Sequence, residues 1–544
     1  MPIFKNIPTA IVASLCIYFA FMLHIYIPNM GGHGLKLPAN LVCWAVIAWV
    51  IILGSLFAFH SHNFRHSSSL IWFIAGGILL SLPLLLADSV NAVATVPRIA
   101  GLWGGIALYW ALLQIPLNLR VKRILLLVLL FSTLTEASLA LWQSTTSLTD
   151  NWMEFVPGSR PYGIFQQINV LASFLATGYA IALLLFATTK NTLVCYFSAF
   201  AIITLIAVLT LLQSRIGYLT AGVVVCIFAI QYFKHSPRGK WLVIFSILGL
   251  GIGLLLLHYQ ILTGEQAYID KEGSTAARML ITLYTLEMIL QHPLSGWGYG
   301  SFAYEFARFA HEQGLVTNNN LISLFDVEHA HNEFLFGWVE GGIIAAVGMV
   351  AIALGYLTPL KKSFTATSDR FLFSIWVVSL PIALHLMTEY PLYQSSAHWL
   401  VLILLCRLCL AERNISIKCG GRISLMLAVF FACATLLFMV TGLQTSKVLT
   451  EFERSGMRDF TSAELLINPY AQWERFQYDK HISLLLQFNR THDETLLDEF
   501  TRWGMDYIKI HNDKNVYSSL EMIARHQKNE ERVNQLQEQK NSIF

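Results

Sequence analysis

Apolar runs of about twenty residues recur along the whole chain, and each is long enough to cross about 30 Å of hydrocarbon as a helix. In lipid, a backbone satisfies its own polar groups only as a helix or as a strand of a closed barrel. The ten-residue alternating pattern of a barrel is absent, so the expected fold is all-α, a polytopic membrane helical bundle. Composition agrees. Of 544 residues, 55% are hydrophobic and only 13% charged, against about 25% charge in soluble chains. Mean hydropathy is +0.56.

The runs predict about thirteen spans, at 9–28, 40–59, 70–87, 97–116, 121–142, 167–187, 193–212, 216–233, 241–262, 334–357, 371–388, 397–411 and 424–441. The first run has no A-x-A cleavage site behind it and is expected to stay as an uncleaved span. Lys and Arg in short loops set direction. With the N-terminus inside, Arg65, Arg120, Lys122, Arg123, Lys190, Lys234, Arg238, Lys240, Lys361, Lys362, Arg370, Arg407, Arg413, Lys418 and Arg422 fall on the inner side. Only Lys36, Arg98, Arg160 and Arg215 fall in short outer connections.

This topology predicts two domains: a bundle over 1–441 with a large outer loop at 263–333, and a polar outer tail over 442–544 whose pattern suggests stacked helix pairs. The eight cysteines lie in spans or on the inner side, so no structural disulfide is expected. Cys406-x-x-Cys409 has no nearby His and reads as packing rather than zinc. The formal charge of +3 is small and says little about partners; no nucleic-acid partner is expected.

Five polar clusters gather at the outer face, where ionisable groups are costly and are candidates for function. Arg160, Gln166, Gln167 and Asn169 open one span, and interhelical bonding is the alternative role. Arg215 sits between two apolar runs, as a headgroup-reaching side chain or as a fork for phosphate oxygens. Arg278 begins an amphipathic helix followed by His292-Pro293 and Gly296, Gly298 and Gly300, read as a bend lying against the membrane. His329, His331, Asn332 and Glu333 precede a span with Gly337, Gly341 and Gly342. An imidazole suits general-base work near neutrality, whereas two His two apart point about 200° from each other on a helix and chelate poorly there. Glu389, Tyr390, Tyr393 and Gln394 form the last cluster.

In order and spacing these residues resemble the bacterial O-antigen ligase and O-antigen polymerase superfamily, from about Arg160 to Tyr393. The carrying stretches are Arg160-x-x-Gly with Gln167-x-Asn169, Ser214-Arg215, Arg278 with HPLSGWGYGSF behind it, and His331-Asn332 with nine residues to Gly342. EYPLYQ and the helical outer tail make the sequence most similar to O-linked protein oligosaccharyltransferases of the PglL type, including those that glycosylate pilins. The residue between Gln167 and Asn169 is Ile168, where some members have Pro or Arg.

The resemblance implies a GT-C-like helical bundle in the bacterial inner membrane. It implies transfer of a preassembled glycan from undecaprenyl diphosphate to a Ser or Thr hydroxyl of a periplasmic, pilin-like protein, with inversion. Arg215 and Arg278, with Arg160 as a weaker third, would hold the diphosphate. His331 would be the base. Gln167, Asn169, Asn332, Glu333 and Tyr393 would contact donor or acceptor. No cofactor or metal is expected, since the first outer loop, NMGGHGLKLPAN, has no acid. A divalent cation would turn attention to Asp326 and Glu328. The alternatives are a sugar acceptor, as in an O-antigen ligase or polymerase, and, in a different class, a lipid flippase or secondary transporter.

Overall fold

The computed structural model describes all residues except 1–5, 62, 88, 146–150, 157–158, 233–235, 264–271, 314–326, 363–366, 413–414, 420–421, 458–459, 542 and 544. The membrane-region helices are α1 (Ile7–Ala20), α2 (Pro38–Ser61), α3 (Ser68–Ser81), α4 (Ser89–Gln114), α5 (Leu119–Thr145), α6 (Ile168–Thr188), α7 (Thr192–Leu211), α8 (Arg215–Tyr232) and α9 (Gly239–Thr263). They are followed by α10 (Glu272–Gln291), α11 (Phe302–Glu312), α12 (Glu333–Leu357), α13 (Thr367–His385), α14 (Ser396–Leu408) and α15 (Arg422–Arg454). The tail adds α16 (Trp473–Thr491), α17 (Glu494–Tyr507), α18 (Lys514–His526) and α19 (Glu530–Asn541).

Among the described residues, eleven helices are long and apolar enough to cross a membrane, and two shorter apolar helices, Arg370–His385 and Ser396–Leu408, join them. Each expected span coincides with one of these. The protein is an all-α, multi-pass membrane protein. One element is longer than its apolar run: α15 continues to Arg454, because no Gly–Pro break follows Leu443 and its polar extension finds partners. Arg475 donates to both Glu453 carboxylate oxygens at 2.7 Å and to Thr450 Oγ1 at 3.0 Å.

The chain forms two compact units. The first comprises Met1–Phe73, Trp103–Ile269 and Ala353–Leu443. Its central pole is α6, which packs on α5, α7, α8 and α13. The apolar window of α6 is 94% buried, so protein rather than lipid surrounds it. Small residues Ala172, Ser173, Ala176, Thr177 and Ala180 let its neighbours approach closely.

At one end of this unit, a short ribbon pairs β1 (Asn63–His66) antiparallel with β2 (Ser416–Cys419), Arg65 opposite Ile417. Beside it, fully buried Arg407 donates to Leu112 O (2.9 Å), Ile115 O (2.8 Å) and Glu412 Oε1 (2.6 Å). Lys122 donates to Leu408 O and Leu410 O at 2.8 and 2.6 Å. The last carbonyls of a helix lack intrahelical partners and carry partial negative charge, which these cations satisfy. Burial alone would push the Glu412 carboxyl up, but Arg407, the Leu117 N–H and Arg65 outweigh it and hold it below the usual carboxylate value. Cys16, Cys43, Cys195, Cys226, Cys406, Cys409 and Cys433 are free thiols, and Cys409 Sγ lies 3.2 Å from Cys406 O.

The second unit comprises Ile74–Leu102, Asp270–Ile352 and Gln444–Phe544. Its tail helices pack successively, α16 on α17, α17 on α18 and α18 on α19. Leu497, Phe500, Val516, Tyr517, Leu520 and Ile523 fill their core, which also takes in Ala307 of α11.

Candidate functional site

The loop before α6 is held from below by buried polar groups. Gln143 Oε1 accepts from Tyr162 N at 3.0 Å and Gly163 N at 2.8 Å. Glu136, fully buried, accepts from Ile164 N at 3.0 Å and pairs with His24 Nδ1 at 2.6 Å. Gly163 has φ +58°, and a Cβ there would collide with Glu136 Oε2. Gln166 is also left-handed, with φ 55°, and hands the chain to Gln167. That residue caps α6, its side-chain oxygen accepting from Val170 N at 2.7 Å.

The hub of this cluster is Glu389, only 3% exposed. Gln167 Nε2 donates to it at 3.2 Å, Asn169 Nδ2 at 2.6 Å, and His385 Nε2 lies 3.1 Å away. Asn169 Oδ1 in turn accepts from Ser214 Oγ at 2.7 Å. Ser214 precedes α8, whose first residue, Arg215, is exposed. Gln213, just before, has φ 47°. Arg160 steadies the same turn, its NH1 donating to Leu212 O at 3.2 Å and Gln213 O at 3.4 Å. Burial holds the Arg160 guanidinium below its ordinary pKa. Behind Glu389, His385 Nδ1 lies 2.9 Å from Ser173 Oγ, which lies 3.1 Å from His398 Nε2. Tyr393 is half-buried, its ring 6.3 Å from that of Tyr390. The structure therefore brings Gln167, Asn169 and, through Asn169, Ser214 to one carboxylate, with Arg160 on the carbonyls of the turn that leads to Arg215.

The second unit carries the other cluster. His331 adopts a left-handed φ of 52°, and its N–H donates to His329 Nδ1 at 3.0 Å. The bond gives His329 an acceptor at Nδ1, so its proton sits on Nε2, 3.9 Å from Glu333 Oε1. The buried His329 ring packs on Phe336 at 4.1 Å. Asn332 caps α12: its Oδ1 accepts from Phe334 N at 3.0 Å and Leu335 N at 3.1 Å. Arg278 lies half-buried on α10. Asp326 is outside the described residues.

The glycine run after α10 forms a bend that docks on the backbone of α12. Trp297 N donates to Val339 O at 2.8 Å, Gly298 N to Glu340 O at 3.0 Å, and Ile343 N to Leu294 O at 3.2 Å. These bonds need a break in α12, and Gly342 supplies it with φ 63° and ψ −159°. The nine-residue spacing from His331-Asn332 to Gly342 thus measures the distance from helix cap to helix break. Glu340, 2% exposed, accepts from Gly300 N at 3.0 Å and pairs with Arg98 at 2.6 Å. Arg98 lies over the Tyr299 and Phe336 rings, at 4.6 and 4.9 Å.

Sequence reasoning missed three supports: Glu136–His24 with Gln143, the chain His385–Ser173–His398 behind Glu389, and Arg98–Glu340. The available signal was ionisable residues inside apolar runs.

Three family models match the chain. One described as O-antigen ligase covers residues 199–350, which hold Arg215, Arg278 and His331. One described as virulence factor membrane-bound polymerase, C-terminal, covers 374–503, with Glu389 and Tyr393. One described as protein glycosylation ligase covers 161–186, the loop and helix of Gln167 and Asn169. A search among curated proteins gives no match. Following one another along a multi-pass helical membrane chain, these matches support the O-antigen ligase superfamily with PglL-like features, and an enzyme of the glycosyltransferase type.

Proposed function

We propose that the enzyme is an O-oligosaccharyltransferase of the bacterial inner membrane, moving a preassembled glycan from undecaprenyl diphosphate to a Ser or Thr hydroxyl of a periplasmic, pilin-like protein. The observation that carries this reading is the protein glycosylation ligase match over 161–186, the stretch built around Gln167, Asn169 and Glu389. An amphiphilic donor keeps its tail in lipid and its diphosphate at the surface, so the reacting carbon sits at the periplasmic end of the spans.

In the reaction, the acceptor hydroxyl oxygen attacks the anomeric carbon. The bond from that carbon to the diphosphate oxygen breaks on the opposite face, its electron pair leaves with the lipid diphosphate, and the configuration inverts. His331 takes the hydroxyl proton. Arg215 and Arg278 grip the diphosphate and stabilise charge growing on the leaving oxygen, with Arg160 bracing the Arg215 turn. Gln167 and Asn169 each carry a second amide N–H beyond the one given to Glu389, directed in this reading to a sugar or phosphate oxygen. Tyr393, Asn332 and Glu333 position donor or acceptor.

The test is reconstitution with a lipid-linked glycan and a pilin, read by mass spectrometry of the pilin. Arg215→Ala, Arg278→Ala and His331→Ala should each lower transfer by about 10²–10⁴ while the protein stays in the membrane. Wild-type rates in any of them would remove that residue from the mechanism. A second reading, a sugar hydroxyl as acceptor, draws support from the O-antigen ligase and polymerase matches. It would prevail if the glycan were transferred to lipid A core or to another repeat unit while the pilin stayed unmodified.

A further inference from the structure

The tail carries an apolar patch that its own core does not use. Leu465, Ile467 and Tyr470 are 80%, 72% and 68% exposed, within six residues of one another, and Trp473 follows at 39%. A water-soluble domain rarely shows so concentrated a patch without a partner. The patch is also rigid. The Tyr470 and Trp473 rings stack at 5.0 Å, Trp473 stacks on Phe476 at 5.8 Å, and Phe476 packs on Phe460, which meets Phe452 of α15.

Its height is fixed by α15. Met426, Phe430, Phe431, Leu437 and Val440 are exposed along that helix, the pattern of a lipid-facing stripe on a membrane span. The stripe ends at Val440. Gln444 lies four residues on, about 6 Å along the axis at 1.5 Å per residue, and begins the polar extension. At that level the patch is attached: Ile467 N donates to Gln444 Oε1 at 3.3 Å, and Thr445 Oγ1 donates to Asn468 O at 2.7 Å. The exposed side chains therefore stand where apolar helix gives way to polar helix, which is where Trp and Tyr concentrate in membrane proteins.

We propose that Leu465, Ile467, Tyr470 and Trp473 form a membrane-interface anchor, seated at the boundary of headgroups and acyl chains in the leaflet that α15 enters. The partner is the lipid surface itself. Aliphatic side chains enter the acyl region, and the stacked Tyr–Trp pair, apolar in body and polar at its tips, sits at headgroup level. The proposal does not depend on which acceptor the enzyme glycosylates.

The test uses the full chain in proteoliposomes of phosphatidylethanolamine and phosphatidylglycerol. A photoreactive p-benzoylphenylalanine replaces Ile467, Tyr470 or, as control, Met522, which is 64% exposed elsewhere in the tail. After irradiation, mass spectrometry should find lipid adducts at positions 467 and 470 and none at 522. Two positions guard against one substitution disturbing the fold. Absence of lipid adducts at both would overturn the anchor. So would adducts that shift from lipid to an added pilin, which would make the patch an acceptor surface instead. Equal lipid labelling at 522 would also overturn it, since contact would then be non-specific.

Discussion

A carboxylate with almost no solvent is tolerated only when donors surround it, and Glu389 is surrounded by Gln167, Asn169 and His385. Its two oxygens hold the two amides and, through Asn169, the hydroxyl of Ser214, which in the proposed reaction makes it a positioning residue. Hydrogen bonds to charged groups contribute about 1.5–3 kcal/mol each. Glu389→Gln keeps the size but turns one acceptor oxygen into a donor facing donors. Glycan transfer should fall about 10- to 100-fold, with near-normal amounts of membrane-inserted protein on immunoblots. Unchanged turnover would show that the amides need no such alignment. Gln167 and Asn169, which meet at Glu389, were legible in the sequence because polar residues stand out where a span begins. Ser173, His385 and His398 were not, since a single polar residue in a span reads equally well as glue between any two helices. Only the fold shows that three of them meet behind one acid.

At the scale of elements, α12 carries the most demanding backbone. Gly342 occupies a φ, ψ region essentially confined to glycine, and a Cβ there would strike the Leu294 carbonyl. Gly342→Ala should cost about 1–3 kcal/mol, seen as a lower midpoint in thermal unfolding of the detergent-solubilised protein, with transfer impaired because the Gly296–Gly300 loop loses its seat. An unchanged midpoint would mean the helix break is soft. The spans themselves were legible, since run length alone dictates a crossing helix. Two features were not. The polar end of α15 has no periodic apolar face long enough to announce it; its helix is stabilised by Arg475, more than twenty residues later. The β ribbon is four residues per strand, too short for an alternating pattern to register.

For the molecule as a whole, the tail should be its acid-sensitive part. Burial pulls the His481 imidazole below its ordinary value of 6.5, despite the Gln477 carbonyl at its Nδ1, and its ring stacks on Trp503 at 4.5 Å. The unfolded chain therefore takes up this proton first as pH falls. The stability from keeping His481 neutral is complete above 6.5 and is lost as pH drops from there through the lower folded value. Between about pH 7.5 and 5.5, where histidines titrate, the wild-type tail should become more open to limited proteolysis. His481→Gln, which cannot titrate, should show a smaller change over the same range. Identical profiles would assign the acid response to other groups.

The buried network in the first unit also has a consequence for how the protein is made. Gln167 and Asn169 find Glu389 across 222 and 220 residues of chain. At about 5–20 residues per second, the ribosome needs roughly 10–45 s to reach that acid after making them. Throughout that interval the helix that will become the pole of the bundle sits in the bilayer with its amides and Ser173 awaiting partners still unsynthesised. Assembly of this half is thus completed by its late-arriving helices. A nascent chain truncated before Glu389 would leave both amides without the carboxylate that accepts from them.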